Sequence, residues 1–152
     1  MFYNTGCRTA VPHGGSPPAG GGVKFPYVAI GRKVYAPMVP VEVWTGNRWL
    51  WVEAYVDSGA SSSIFHAEVG ELIKPALNRP HRIQMGLGDG RIIPVNIHHV
   101  RVRFGGKEFL APIGFSAKFW TRFNLLGRAG FFERFRITFH ERAKFVETTE
   151  IK

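Results

Sequence analysis

The chain has 152 residues, the length of one domain, and it combines 45% hydrophobic with 20% charged residues, as ordinary soluble globular proteins do. No apolar run reaches the roughly 18 residues that a membrane-spanning helix needs, and the first residues lack the charged and apolar regions of a signal peptide. The net charge of +9 comes from scattered Lys and Arg residues, so it favours a solvated surface over a nucleic-acid site. The single cysteine, Cys7, excludes an internal disulfide and suits a cytoplasmic location, which we expect.

The N-terminal segment 1–22 is rich in Gly and Pro. It has little apolar surface to bury, so it is predicted to be a flexible tail. We expect the folded domain over 23–152. Its first clear elements are strands over 39–44 and 48–56, joined by a short turn. In the second strand an apolar face alternates with a mixed one, and the strand leads directly to Asp57.

Further along the chain, the segment Gly86-Leu87-Gly88-Asp89-Gly90 is typical of a hairpin tip between two strands. Alternation of apolar with polar residues also predicts half-buried antiparallel strands later in the chain. Two short helices complete the pattern, which predicts an all-β fold with one or two short helices. The predicted strands are 82–85, 91–95, 99–104, 109–113 and 134–140, and the predicted helices are 63–73 and 128–133.

The segment Asp57-Ser58-Gly59-Ala60 is the one best suited to chemistry. A carboxylate at the end of an apolar strand is partly withdrawn from water. Ser58 can supply a hydroxyl, and Gly59 lets the backbone approach a ligand closely. The same residue types also make ordinary turns at strand ends. Taken alone, the tetrapeptide therefore favours a structural role.

Two later segments change that balance because they follow in a set order. The glycine-rich hairpin comes next, and then Phe123-Asn124-Leu125-Leu126-Gly127-Arg128. Together with Asp-Ser-Gly-Ala, this ordered set resembles the retropepsin family of aspartic peptidases, the retroviral-protease-like group, including its bacterial single-domain relatives. The resemblance covers about 39–140.

The resemblance implies a retropepsin-like acid protease barrel that assembles as a homodimer. It makes Asp57 the catalytic aspartate and Ser58 the residue whose hydroxyl bonds across the dimer, while Gly59 and Ala60 complete the active-site loop. The hairpin matches the flap that closes over a bound peptide, and the third motif matches the segment that braces the active-site loop. The implied flap residues are Met85, Gly86, Leu87, Gly88, Asp89 and Gly90, and the implied bracing residues are Leu125, Leu126, Gly127 and Arg128.

The sequence departs from the family pattern at two positions. Ser61 stands where the family often has an acidic residue that pairs with the following Arg, and Ala129 stands where it often has Asp or Asn. Arg128 is therefore expected to find another partner or to face solvent. The chain also continues beyond His140, so the dimer interface is the least transferable part of the resemblance.

The implied activity is endopeptidase chemistry, in which two carboxylates sharing one proton activate water against a peptide carbonyl. Only one Asp-Ser-Gly occurs, so the second aspartate must come from another copy of the chain. The expected partners are this second copy and a peptide or protein substrate, with no cofactor. A second hypothesis keeps the fold as an inactive peptide- or protein-binding module. A third hypothesis is a basic nucleic-acid binder, which predicts a salt-dependent affinity for DNA or RNA.

Other motifs carry weaker signals. His98 and His99 point to opposite faces of a strand, so no metal site is expected. The spacing Gly86-x-Gly88-x-Gly90 lacks the Lys and Ser/Thr of a phosphate loop. The run Ser61-Ser62-Ser63 with His66 lacks an orienting acid for nucleophilic catalysis.

Overall fold

One large, strongly curved β-sheet dominates the structure, a computed structural model that describes residues 22–152. The predicted tail 1–22 lies outside the described residues, apart from Gly22. The strands are Val23–Pro26 (β1), Val28–Gly31 (β2), Val34–Ala36 (β3), Met38–Trp44 (β4), Trp49–Val56 (β5), Ser63–His66 (β6), His81–Gly86 (β7), Ile92–Phe104 (β8), Lys107–Ser116 (β9), Asn124–Leu126 (β10), Phe135–His140 (β11) and Phe145–Glu150 (β12). A helix, α1, spans Ala67–Ile73, and short helical turns span Lys74–Ala76 and Arg128–Phe132.

The seven strands of the large sheet are ordered β4-β5-β10-β6-β9-β8-β7. A further antiparallel pairing joins β4 to β8, with Glu42 opposite Arg103 and Val43 opposite Val102. Because β4 lies at one end of the strand order and β8 near the other, this pairing closes the sheet into a barrel. Two pairings are parallel, β10 with β5 and β6 with β9, and they place two separate chain segments in the middle of the sheet.

Two smaller sheets are built from the ends of the described chain. In the first, β1 pairs antiparallel with β12, which pairs in turn with β11. In the second, β2 and β3 form an isolated hairpin, with Val28 opposite Ala36. The chain passes from this hairpin through Pro37 directly into β4.

The core lies inside the barrel and is rich in Val and Phe. Apolar side chains alternate along β4 and β5, and Val41, Val43 and Ala54 are buried completely. At one end, phenylalanine rings pack edge to face, with Phe104 5.1 Å from Phe135 and 5.5 Å from Phe131 between ring centroids. Such contacts add roughly 0.5–1.5 kcal/mol per pair beyond the burial of apolar area.

The strands and hairpins predicted from alternation are confirmed. The β4–β5 turn is closed by a hydrogen bond from the Thr45 amide to the Arg48 carbonyl, at 2.9 Å. The predicted strands at 82–85 and 91–95 lie in β7 and β8, which form an antiparallel hairpin. Within residues 22–152, no helix is both long enough and apolar enough to cross a membrane.

The predicted helix over 63–73 is wrong in its first four residues. Ser63–His66 is a strand that pairs in parallel with Ile113–Ser116 of β9, and the helix begins only at Ala67. Ser63, Ile64 and Phe65 are all buried, so sheet pairing in the core overrides local helix propensity.

The second predicted helix, 128–133, is present only as an interrupted turn over Arg128–Phe132. Ala129 has an extended backbone (φ −60°, ψ 126°), and Gly130 has a positive φ of 78°. Neither conformation continues a helix. The backbone turns sharply here and places Phe131 in the core.

Candidate active site

Asp57 lies at the end of the barrel strand β5, immediately after the buried Val56. The neighbouring strand β10 runs parallel to β5, with Leu126 opposite Val56. The pairing continues by one hydrogen bond beyond the strand, because the Asp57 amide donates to the Leu126 carbonyl at 3.0 Å. This hydrogen bond fixes the Asp57 backbone to the sheet. The residue is half-buried, so its side chain reaches solvent.

The loop that follows holds the Asp57 carboxylate in a defined orientation. The Gly59 amide donates to Oδ1 of Asp57 at 2.8 Å, and the Ala60 amide donates to the Asp57 carbonyl at 3.2 Å. A Cβ on Gly59 would lie 3.1 Å from the same Oδ1, which is tight. Glycine at this position therefore permits the close approach that orients the carboxylate.

The segment from Leu126 to Ala129 runs along this loop and braces it. The Arg128 amide donates to the Ala60 carbonyl at 2.9 Å, and the Ala129 amide donates to the Ser61 carbonyl at 3.0 Å. At Gly127, any Cβ would overlap the backbone of Ser62. The loop and the brace are therefore in direct backbone contact over several residues.

The side chain of Arg128 has a partner within the active-site loop. Its Nη1 donates to the Ser58 carbonyl at 2.7 Å. The sequence predicted a different partner or solvent for Arg128, because Ser61 replaces the usual acidic residue, and the structure shows this different partner. A charged donor on a carbonyl makes a strong hydrogen bond, and this one restrains the residue next to Asp57.

Two residues that the sequence analysis did not assign to the site also support it. The Oγ of the buried Ser63 accepts a hydrogen bond from the Gly127 amide at 3.0 Å. The Asn124 side chain links two strands, because Oδ1 accepts from the His66 amide at 2.8 Å and Nδ2 donates to the Glu53 carbonyl at 3.0 Å. Asn124 is a polar residue between apolar neighbours, which was the only available signal for it, whereas nothing in the serine run distinguished Ser63 from Ser61 and Ser62.

The glycine-rich hairpin has a well-defined tip. The Leu87 amide donates to the Arg91 carbonyl at 2.8 Å, and Gly90 adopts a positive φ of 85°. Asp89 accepts hydrogen bonds from the backbone amide and the Nε of Arg91, and these bonds lower the pKa of its carboxyl. A Cβ on Gly86 or Gly88 would meet nothing within 4 Å, so the tip is open to solvent on those sides.

A second apolar cluster joins this hairpin to the strands around Asp57. Ile93 and Val95 of the hairpin are buried together with Ile64 and Phe119, and five flanking side chains are partly buried against them. The cluster brings the hairpin and the bracing segment to one side of the barrel. The five flanking residues are Ile83, Met85, Leu87, Ile97 and Leu125.

His66 lies beside Phe119 of this cluster. Its ring lies 5.8 Å from that of Phe119, and burial lowers its pKa below the ordinary value for histidine. His98, from the adjacent histidine pair, lies within hydrogen-bonding distance of the Asn78 carbonyl, with its Nδ1 at 2.7 Å. In the part of the chain that the structure describes, no three His, Cys, Asp or Glu residues are grouped as metal ligands.

Comparisons with known proteins agree with this geometry at the level of the fold. No protein-family model matches the chain, and no curated protein matches it in sequence. Among solved structures, it is similar to EIAV protease in complex with the inhibitor HBY-793, with a TM-score of 0.51 and 16% sequence identity. The similarity covers 66% of this chain and 88% of the viral chain. The protein therefore has the mostly β retropepsin-like fold of a retroviral protease, as predicted, while membership of the bacterial-type group stays a prediction.

Proposed function

We propose that this chain is one subunit of a homodimeric aspartic endopeptidase, with Asp57 as its catalytic residue. One observation is the main support for the proposal. On a retroviral-protease fold, the only Asp-Ser-Gly of the sequence follows a barrel strand with one buried face. Backbone hydrogen bonds join this loop to the segment Leu126–Ala129. The carboxylate is thus both positioned by the fold and half-exposed to a substrate.

The second carboxylate is assigned to another copy of the same chain. Each chain carries one such motif, and a two-fold axis beside Asp57 would bring the two loops together in an isologous dimer. The two carboxylates would share one proton, because repulsion between two negative charges at short range disfavours ionisation of both. The ionised member then takes a proton from water, while the protonated member polarises the substrate carbonyl.

The hairpin from Met85 to Gly90 is assigned the role of a flap. It belongs to the same apolar cluster as Leu125 of the bracing segment, so it is tethered on the side of the barrel that carries the brace. Its open tip would cover an extended peptide and hold it through backbone hydrogen bonds, as an added strand. Closing over the substrate would also exclude bulk solvent, apart from the one water that reacts.

The bracing segment is assigned a positioning role. Leu125 and Leu126 anchor it in the sheet, Gly127 allows close contact, and Arg128 restrains the loop through Ser58. Ser58 is proposed to bond across the dimer. The expected location is the cytoplasm, in keeping with a single cysteine.

The proposal is tested by incubating the protein with a mixed peptide library at mildly acidic and neutral pH and identifying the products by mass spectrometry. Wild type should cleave, and Asp57→Asn should not. The Asn side chain has nearly the same shape and keeps an oxygen to accept from the Gly59 amide. Glu71→Gln, which removes an exposed carboxylate on α1, is the control and should cleave normally. Equal cleavage by wild type and Asp57→Asn, or none by either, contradicts the proposal.

A second candidate function is a peptide- or protein-binding module with the same fold. Ser61 and Ala129, which replace polar or acidic residues of the family pattern, favour it. In that case wild type and Asp57→Asn would bind the same peptides with equal affinity, and neither would cleave them. Binding of nucleic acid is the least favoured function, since the basic residues are scattered along the sequence.

A further inference from the structure

The β2–β3 hairpin lies beside the loop that carries Asp57. In the antiparallel pairing of β4 with β5, Met38 lies opposite Tyr55, so the chain that enters β4 approaches from the strand end occupied by Asp57. The pairing extends by one further contact, because the Val56 amide donates to the Pro37 carbonyl at 2.9 Å. The base of the hairpin is therefore a neighbour of the active-site loop.

The loop between β9 and β10, residues 117–123, approaches the same hairpin. Nη2 of Arg122 donates to the Ile30 carbonyl in β2 at 3.4 Å. The ring of Phe123 stacks on Tyr55 with 5.9 Å between centroids, and the Arg122 guanidinium lies 5.6 Å from the Phe123 ring. Since Tyr55 precedes Asp57 by two residues, the hairpin and the loop together border the candidate active site.

This border carries four exposed basic side chains, which we name the basic rim: Arg32 and Lys33 from the hairpin, and Lys118 and Arg122 from the loop. Within residues 22–152, none of them forms an ion pair, while the paired carboxylates all bind cations elsewhere. Their positive charge is thus not neutralised by salt bridges in the described part of the chain, and it is available to an anionic partner.

Large apolar side chains are exposed next to these charges. Val34 and Tyr35 of the hairpin are each 51% exposed, and Trp120 of the loop is 77% exposed. Adjacent exposed apolar and charged groups are typical of a binding surface. Such a surface fits a peptide with acidic and apolar side chains better than it fits a phosphate backbone alone, because apolar contacts add little to phosphate recognition.

We propose that the basic rim selects peptide substrates that carry Asp or Glu within a few residues of the scissile bond. The proposal rests on the proposed function, since it places the acidic residues in a peptide that reaches Asp57. An extended peptide advances about 3.3 Å per residue, so a side chain a few residues from the cleaved bond can reach the neighbouring hairpin and loop.

The test compares two peptides that share one cleavable core and differ only in Glu or Gln at the flanking positions. Wild type should cleave the Glu peptide with a kcat/KM roughly threefold to tenfold higher, mostly through KM, because each exposed charge pair contributes up to about 1 kcal/mol. Added salt should shrink the ratio. In the rim variant Arg32→Gln/Lys33→Gln/Arg122→Gln, the ratio should fall towards one.

Two controls keep the result specific. Arg136→Gln/Arg142→Gln removes exposed charges of β11 and the turn after it, and it should leave the ratio unchanged. Arg32→Glu/Lys33→Glu should instead favour a peptide with Lys at the same positions. A wild-type ratio of one, or a preference that survives in the rim variant, overturns the proposal.

Binding of the same peptides separates this proposal from the proposed function. Fluorescently labelled Glu and Gln peptides are titrated with Asp57→Asn, with and without the rim substitutions. Suppose that wild type cleaves neither peptide, but Asp57→Asn binds the Glu peptide more tightly and loses this preference with the rim substitutions. The proposed catalysis then fails and the rim proposal stands. Equal binding of the two peptides overturns it. Tighter rim-dependent binding of a labelled single-stranded oligonucleotide also overturns it, since the rim would then bind nucleic acid.

Discussion

The amide of Gly127 donates a hydrogen bond to Oγ of Ser63 at 3.0 Å, across 64 positions of sequence. Ser63 is fully buried and begins β6. Gly127 follows β10, whose last residue, Leu126, accepts a hydrogen bond from the Asp57 amide. A single buried hydroxyl therefore links the strand that follows the active-site loop to the segment that braces the loop.

Replacing Ser63 with Ala is expected to destabilise the protein. The change leaves the buried Gly127 amide without an acceptor, which costs roughly 1–3 kcal/mol. Chemical denaturation measures the loss in free energy of unfolding. Ser61→Ala, which removes an exposed hydroxyl from the same run, should change it by less than about 0.5 kcal/mol. Equal effects of the two substitutions would show that the buried hydrogen bond is unimportant.

Gly127→Ala is expected to destabilise the protein, and Gly88→Ala is not. A Cβ at Gly127 would overlap the Ser62 backbone, whereas one at Gly88 would meet nothing within 4 Å. Overpacking costs about 1–3 kcal/mol, while the entropic effect of Gly→Ala on the unfolded chain is the same at both positions. Thermal or urea unfolding of the two variants measures the difference. If both variants are as stable as wild type, the brace does not contact the loop as described.

Arg128→Ala is expected to lower kcat more than it raises KM. The substitution removes the donor that restrains the Ser58 carbonyl, with a stability loss of roughly 0.5–1.5 kcal/mol. Arg128→Lys should be intermediate, because an ammonium group on a flexible stem is a less fixed donor than a guanidinium. Arg136→Ala, on β11, serves as the control. A change confined to KM, or none at all, would argue against a positioning role.

Tyr27 should make the protein sensitive to alkaline pH. Burial, together with the hydrogen bond to Glu141, raises the pKa of Tyr27 from 10.0 to about 12. Because the folded state raises this pKa, the stabilisation is fully present below about pH 10 and is lost as the pH rises through about 12. Tyr27→Phe should flatten the fall in free energy of unfolding between those values, and Tyr35→Phe, at an exposed position, should not. An identical pH profile for Tyr27→Phe and wild type would be the contrary result.

Local alternation and turn chemistry were enough to predict the β4–β5 hairpin, the hairpin with the glycine-rich tip, and the position of Asp57 at the end of a strand with one buried face. Each of these features depends on residues that are close in sequence. For such residues, the period of the apolar positions indicates strands and glycine indicates turns. The order of the three motifs then predicted the retropepsin-like fold, which the similarity to EIAV protease confirms.

Features that depend on distant pairing or unusual turns were not predicted. Ser63–His66 is a strand because of its parallel pairing with β9, and no local pattern distinguishes it from the start of the helix that follows. The turns after β2 and β11 contain Lys33 and Lys144 at positive φ, a conformation usually signalled by Gly or Asn. The basic rim depends on this β2–β3 hairpin, so it too could be recognised only in three dimensions.

The most direct test of the shared Asp57 dyad mixes wild type with Asp57→Asn in denaturant, refolds them together at constant total protein, and measures cleavage of one peptide as the wild-type fraction falls. If each active site needs Asp57 from both copies, activity follows the square of that fraction, and an equal mixture retains about one quarter of the wild-type rate. A subunit active on its own would retain about half. That linear dependence, or an absence of cleavage by wild type itself, would contradict a dyad formed by two copies of Asp57.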